Sequence, residues 1–392
     1  MGKRYYELDS LRGIAAITVI FGHFYIILPT IQTVELLNYT PLRVIKAGHE
    51  AVLFFFVLSG FVLSLPFYKK GYVVNYLPYI TKRFFRIYIP YIVAVIFAMS
   101  MYQLFSRGGI HGMSDLFNQI WTKPISMESI INHVVLIGNF DSSAYNMVIW
   151  SLTQEMRISI IFPLIMLFLI CRFNWKISLV AGISLSILSL ILHQNIEIVP
   201  NNGPVSTNYF FTLHYISMFI IGALLAKNIR FLDKKYKSLS LFSKVYVFGV
   251  GLLFYTYGGI SDAILEKILP VKFHGYWLKI IADYGTTIGV ALILIVSISS
   301  STASAVLQTN TIKFFGKISY SLYLFHAIVL FTLVNAFFGK LPIWLIELIT
   351  IAISIIVATI SYYYVEVPSM KLGKYLANKW KGLKRDMKGK VA

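Results

Sequence analysis

Long apolar runs, separated by short clusters rich in Lys, Arg, Pro, Asn and Gly, set the pattern of this chain. They predict helices at 11–30, 51–68, 89–105, 146–171, 177–193, 209–226, 245–260, 277–299, 319–338 and 343–365. Most approach the length of about 20 residues that a helix needs to cross a bilayer. Run 245–260 is short and run 277–299 contains Asp283, which makes them the two least regular. The expected fold is an all-α polytopic integral membrane protein with about ten transmembrane helices. An even number of spans returns both termini to one side. Residues 1–370 would form the membrane domain and 371–392 a basic tail. There Leu372, Tyr375, Leu376, Trp380 and Leu383 recur at semi-helical spacing. The spacing leaves open whether the tail lies on an anionic leaflet or is a disordered basic segment. The first run is too long for a signal-peptide core and shows no small-residue cleavage site before Pro29, so it reads as a signal-anchor.

Composition agrees with that pattern. Of 392 residues, 57% are hydrophobic and 13% charged, against about 25% charged in soluble domains. The net charge of +19 raises nucleic acid as a partner, but its distribution argues for topology instead. With a cytoplasmic N-terminus, most of the 35 Lys and Arg residues fall in inside segments. The outside loops hold Arg43, Lys46, Arg107, Lys123, Lys267, Lys272 and Lys340. That asymmetry predicts both termini in the cytoplasm. No basic strand with interleaved aromatics and no zinc pattern accompanies the charge, so nucleic acid is not the expected partner. Cys171 is the one cysteine, which excludes an intramolecular disulfide and a multi-cysteine metal site. A nucleophile elbow, an HExxH motif and a P-loop are all missing, and no metal site is expected.

Ionisable residues inside apolar runs carry the candidate chemistry, because membrane depth penalises them unless they pair or line a cavity. Arg12 and His23 are eleven residues apart, which places them within about 20° on one helix face and roughly 16 Å apart along the axis. Asp9 precedes Arg12 by three residues, the spacing of a helical ion pair. A packing histidine and a functional one are both compatible with this column. In VIWSLTQEMRISIIFPL, Ser151 and Glu155 are four apart and share a face, with Gln154 beside them. The expected topology places Glu155 in the outer part of the bilayer and His23 past the midplane. A His23–carboxylate couple is one reading of Glu155; a structural pair with Arg157 or Lys279 is the other. In ISYSLYLFHAIVL, Ser319, Tyr323 and His326 line one polar stripe. Arg83 and Arg86, three apart in YLPYITKRFFRIYIPY, would lie on an interfacial helix ending at Pro90. Paired guanidiniums there grip phosphate or pyrophosphate, or simply bind lipid headgroups. Ser59 and Gly60 sit mid-span, where small residues allow close approach by a helix or a thin ligand.

Together, LDSLRGIAA…FGHF, FFVLSGFVLS, KRFFRIYIPY, WSLTQEMRISIIFPL, ISYSLYLFH and YYYVEVPSMKL resemble the membrane-bound acyltransferase-3 family over nearly the whole chain. Arg12, ten residues, then His23 is the most specific part. The family's WSL-x-x-E maps to Trp150, Ser151, Leu152 and Glu155, its paired arginines to Arg83 and Arg86, and its terminal E-x-P to Glu366 and Pro368. One departure is Arg157-Ile158 where an aromatic often follows that glutamate. The resemblance implies O-acylation of a cell-envelope polysaccharide or its lipid-linked precursor in a bacterial inner membrane. It implies acyl-CoA, commonly acetyl-CoA, as donor. Arg83 and Arg86 would hold the CoA phosphates, and the pantetheine arm would pass Ser59 and Gly60. His23 would act as general base, oriented by Glu155 or Asp9, with Arg12 stabilising charge or holding Asp9. Ser151, Tyr323 and His326 remain further polar candidates. Direct transfer and an acyl group carried on His23 both fit. Some members carry an appended extracytoplasmic hydrolase-like domain; this chain resembles the stand-alone type. Two other readings stand beside it: a proton-coupled transporter or flippase using His23, Glu155 and His326, and an acyltransferase for a small-molecule acceptor.

Overall fold

A computed structural model describes residues 5–27, 40–69, 71–195, 207–258 and 276–389. Among the described residues there is no strand, only an isolated bridge between Phe338 and Leu341. Nine helices there have the length and composition to cross a membrane, and Leu241–Tyr257 is a shorter apolar helix. Among the described residues every predicted run is therefore occupied by a helix; 28–30 and 259–260, the ends of two runs, lie outside the described residues. The helices are α1 (Tyr6–Ile27), α2 (Gly48–Ser64), α3 (Tyr76–Phe105), α4 (Asp115–Gln119), α5 (Met127–Val135), α6 (Ile149–Ile165) and α7 (Trp175–Asn195). They continue as α8 (Tyr209–Lys237), α9 (Leu241–Tyr257), α10 (Tyr276–Ser299), α11 (Ser301–Leu307), α12 (Asn310–Phe337), α13 (Ile343–Ser361) and α14 (Val367–Gly389).

Several predicted boundaries move; α1 begins at Tyr6 rather than 11, and α8 continues to Lys237 past the predicted 226. The expected separate interfacial helix before Pro90 is instead the first half of α3, which passes through Pro90 without a break. A proline inside a helix removes one donor, and neighbouring groups in a membrane helix make this tolerable. Helix α12 begins nine residues before the predicted 319, at Asn310. After α13 a single π-helical turn, Tyr362–Glu366, leads directly into α14, so the basic tail is helical through Gly389.

The chain forms two compact units, residues 1–72, 164–199 and 209–317 in the first, and 73–163, 200–208 and 318–392 in the second. In the first, glycines set how closely helices pack. A Cβ at Gly60 would stand 2.1 Å from the Phe219 carbonyl oxygen, and one at Gly222 would stand 1.9 Å from that of Val57. Helices α2 and α8 thus touch backbone to backbone, the small-residue packing expected between membrane helices. Gly289 on α10 meets the Tyr255 backbone of α9 in the same way, and Gly22 on α1 meets Gly48 at the start of α2.

In the second unit the hydroxyls of Tyr88 and Tyr91, halfway along α3, donate to the carbonyls of Val134 and His133. The last turn of α5, which leads into an irregular stretch, therefore lies level with the middle of α3. Non-helical backbone at such depth must find its hydrogen bonds within the protein. Arg157 supplies several, donating to the carbonyls of Ile137, Gly138 and Thr207. Asn146 donates to the Leu324 carbonyl, and the Trp121 indole donates to that of Tyr145. Helix α14 packs along α3 through Gly373 against Phe85, with the Ser369 hydroxyl donating to the Phe85 carbonyl.

Candidate functional site

The candidate residues divide between the two units: Asp9, Arg12, His23, Ser59 and Gly60 belong to the first, and Arg83, Arg86, Ser151, Glu155, Tyr323 and His326 to the second.

In the first unit, Glu7 and Asp9 occupy the opening turn of α1, where the helix dipole favours carboxylates. Arg12 Nη1 lies 3.3 Å from Asp9 Oδ1, the pair that i,i+3 spacing predicts. Gly13 allows the backbone of α12 to approach beside this pair, since a Cβ there would stand 2.5 Å from the Gly316 nitrogen. His23 is half-buried, one residue beyond the Gly22–Gly48 crossing. Ser59 and Gly60 are buried against α8. Of the two uses foreseen for Gly60, close approach by a helix is the one realised.

The same unit holds a polar array that sequence reasoning missed. Asp283, 1% exposed on α10, accepts from two imidazoles. His49 Nε2 lies 2.7 Å from its Oδ1, and His214 Nε2 lies 3.1 Å from its Oδ2. His214 Nδ1 then meets Ser186 Oγ at 2.9 Å, and Ser186 Oγ meets the Tyr284 hydroxyl at 2.9 Å. The sequence did contain a signal: an acid inside an apolar run demands a partner. Asp283 is that acid, and the irregularity it gives run 277–299 is the mark of this second site.

In the second unit the predicted residues pair with one another, though not as foreseen. Arg83 is buried, with its Nη2 at 2.6 Å from Glu155 Oε1 and its Nε donating to Ser159 Oγ at 3.1 Å. The cation beside Glu155 is Arg83 rather than Arg157 or Lys279. Arg157 is committed to backbone carbonyls, and Lys279 lies over the Phe211 ring in the first unit. Tyr79 donates to the Ser159 carbonyl beside the Arg83–Glu155 pair, fixing α3 against α6. Ser151, one turn before Glu155, meets the Tyr323 hydroxyl at 2.6 Å. Tyr320 lies within electrostatic reach of Glu155, Glu366, Arg83 and Arg86, two acids and two bases about one phenol. Glu366 of the E-x-P motif accepts from Ser321 at 2.8 Å. Arg86 is half-buried. His326 is fully buried, and its Nδ1 lies 3.0 Å from the Leu322 carbonyl of its own helix.

Chemically, the second unit offers a guanidinium–carboxylate cluster with a second arginine at its side. The first offers an ion pair and a half-buried imidazole on one helix. Among the described residues, no three His, Cys, Asp or Glu side chains are placed to hold a metal ion.

Comparison with known proteins gives this arrangement a context. A family model described as an acyltransferase domain matches residues 5–363. The O-acetyltransferase OatA of Staphylococcus aureus strain NCTC 8325 is 27% identical over 231 residues, 57% of this chain and 36% of the relative. A putative O-acetyltransferase of S. aureus strain COL is 29% identical over 232 residues, again 57% of this chain and 36% of the relative. The match thus spans little more than a third of these relatives' length. No solved structure gives a significant match.

Proposed function

The chain belongs to the acyltransferase-3 family, and from that membership we propose that it is an integral-membrane O-acyltransferase. It moves an acyl group, acetyl by preference, from acyl-CoA to a hydroxyl of a cell-envelope glycan or its lipid-linked precursor. The observation that carries this reading is the domain match from residue 5 to residue 363. The O-acetyltransferase names of the S. aureus relatives support the hydroxyl acceptor and the acetyl group. Family membership also weighs against the transporter reading, which rested on dispersed polar residues alone. The protein resides in a bacterial inner membrane with both termini cytoplasmic, and residues 371–392 extend the acyltransferase domain as a basic tail.

His23 is the general base. It takes the proton from the acceptor hydroxyl, and the resulting alkoxide attacks the thioester carbonyl. Base catalysis of this kind contributes about 10²–10⁴-fold, with positioning adding more. Arg12 is held by Asp9 on the same helix and stabilises developing negative charge. Arg83 and Arg86 recognise the phosphates of CoA, Arg83 sharing its charge with Glu155. That sharing suits a site that releases its product, because a guanidinium already compensated binds phosphate less tightly. Glu155 tunes the arginine cluster, while Ser151 and Tyr323 brace the helix that carries it.

The test is acetyl-CoA binding to purified protein in nanodiscs, beside the Arg83→Ala/Arg86→Ala double variant and His23→Ala. Saturable binding lost in the double variant, with transfer lost but binding kept in His23→Ala, is the expected result. Full glycan acylation by a well-expressed His23→Ala protein would rule out the proposed base.

A further inference from the structure

Asp283 needs an explanation that helix packing does not supply. A carboxylate buried in an apolar bundle is costly unless compensated, and here two imidazoles compensate it. A carboxylate with two imidazoles is electrically neutral when it holds one extra proton. Both Nε2 atoms face a carboxylate oxygen, so both carry hydrogen and donate. His214 Nδ1 faces the Ser186 hydroxyl, which serves as donor or acceptor by rotation. It therefore accommodates His214 neutral or charged without rearrangement. Ser186 can meanwhile exchange hydrogen bonds with Tyr284. At the other end His49 has 37% of its side chain exposed, which opens the array to proton exchange.

Its place in the fold is equally specific. Helix α1 ends where α2, α8 and α10 begin, and there the backbones of Gly22 and Gly48 meet. His23 and His49 each follow one of these two glycines. We propose that His49, Asp283 and His214 form a proton-holding array that receives the proton His23 removes from the acceptor hydroxyl. The proposal rests on His23 being the base. In the step, the acceptor O–H bond breaks and its proton passes to His23. The oxygen bonds to the acyl carbon, and the C–S bond breaks with its electron pair leaving on the thiolate. The proton then passes from His23 to the array and out through His49 to solvent, and the thiolate takes one proton from solvent to leave as the thiol, so that one proton is released for each one taken up.

The surrounding charges suit release of the proton. Arg43 and Glu50 compensate each other at 3.3 Å. Lys46 lies over the Tyr25 ring and Lys279 over that of Phe211, adding positive potential that opposes a second proton. His193 stacks beside Tyr276, and Tyr215 and Tyr276 lie within electrostatic reach of Asp283.

Asp283→Asn and His49→Gln in the full chain test this, with transfer followed as thiol released from acetyl-CoA in membranes that hold the endogenous acceptor. Each is expected to slow transfer on the order of 10-fold, the low end of general acid–base effects. Added imidazole should restore much of the rate of His49→Gln, where it replaces the missing ring at a partly exposed site, which it would not do for a structural defect. Histidine ¹⁵N resonances should show two imidazoles hydrogen-bonded through Nε2 to Asp283, a signature lost in Asp283→Asn. Unchanged rates in both variants, or a loss in His49→Gln that imidazole does not recover, would overturn the array. Because His49 is partly exposed, its variant keeps the test open should Asp283→Asn fold poorly. Full activity of His23→Ala would instead remove the base on which the proposal rests, whatever the other variants do.

Discussion

Glu155 shows how much one side chain depends on its partner. It compensates Arg83, which is buried and also bonded to Ser159. Removing one member of a buried ion pair leaves an uncompensated charge, at a cost of about 3–5 kcal/mol. Glu155→Gln should therefore lower stability by roughly that amount in an SDS-unfolding titration. The double variant Glu155→Gln/Arg83→Met should recover much of the loss, since no buried charge is left unmatched. A double variant as unstable as the single would mean that the pair is not the source of the effect. Arg157, two residues on, illustrates the opposite case. It lies beside an acid in sequence, yet donates to the carbonyls of Ile137, Gly138 and Thr207.

Among the elements, the glycines that let helices touch separate from those that do not. Gly222 on α8 has no space for a side chain, because a Cβ would lie 1.9 Å from the Val57 carbonyl oxygen. The obstacle is backbone and cannot rotate away. Gly222→Val should force α2 and α8 apart and lower the melting temperature strongly, with a cost above the usual 1–3 kcal/mol of overpacking. Gly249 on α9 has nothing within 4 Å of such a Cβ. Gly249→Ala should leave melting unchanged or raise it, since alanine in a helix interior gains about 0.5–1 kcal/mol over glycine. The two variants in one melting series check the helix contacts directly; equal losses would contradict them. Proline is informative in the same way. Pro90 interrupts the sequence pattern of α3 but not the helix, because a missing donor is a local loss within a long helix.

Across the whole molecule, Cys171 gives a direct probe of orientation. It is the one cysteine of the chain and is exposed in the short connection before α7. On the orientation proposed from the charge pattern, a membrane-impermeant maleimide should label it in inside-out vesicles and not in intact cells. Labelling from outside would reverse the assignment of every loop. The sequence by itself determined the ten long apolar runs that become helices, the Asp9–Arg12 pair and the family resemblance. These depend on hydrophobic length, on three- and four-residue spacing and on ordered motifs, all local along the chain. Only the tertiary structure decided that Arg83 pairs with Glu155, that Ser151 meets Tyr323, and that Asp283 gathers His49 and His214 from two other helices. Helical periodicity tells which residues share a face. It does not tell which face meets which, because that depends on crossing registers set by glycine contacts between helices distant in the chain.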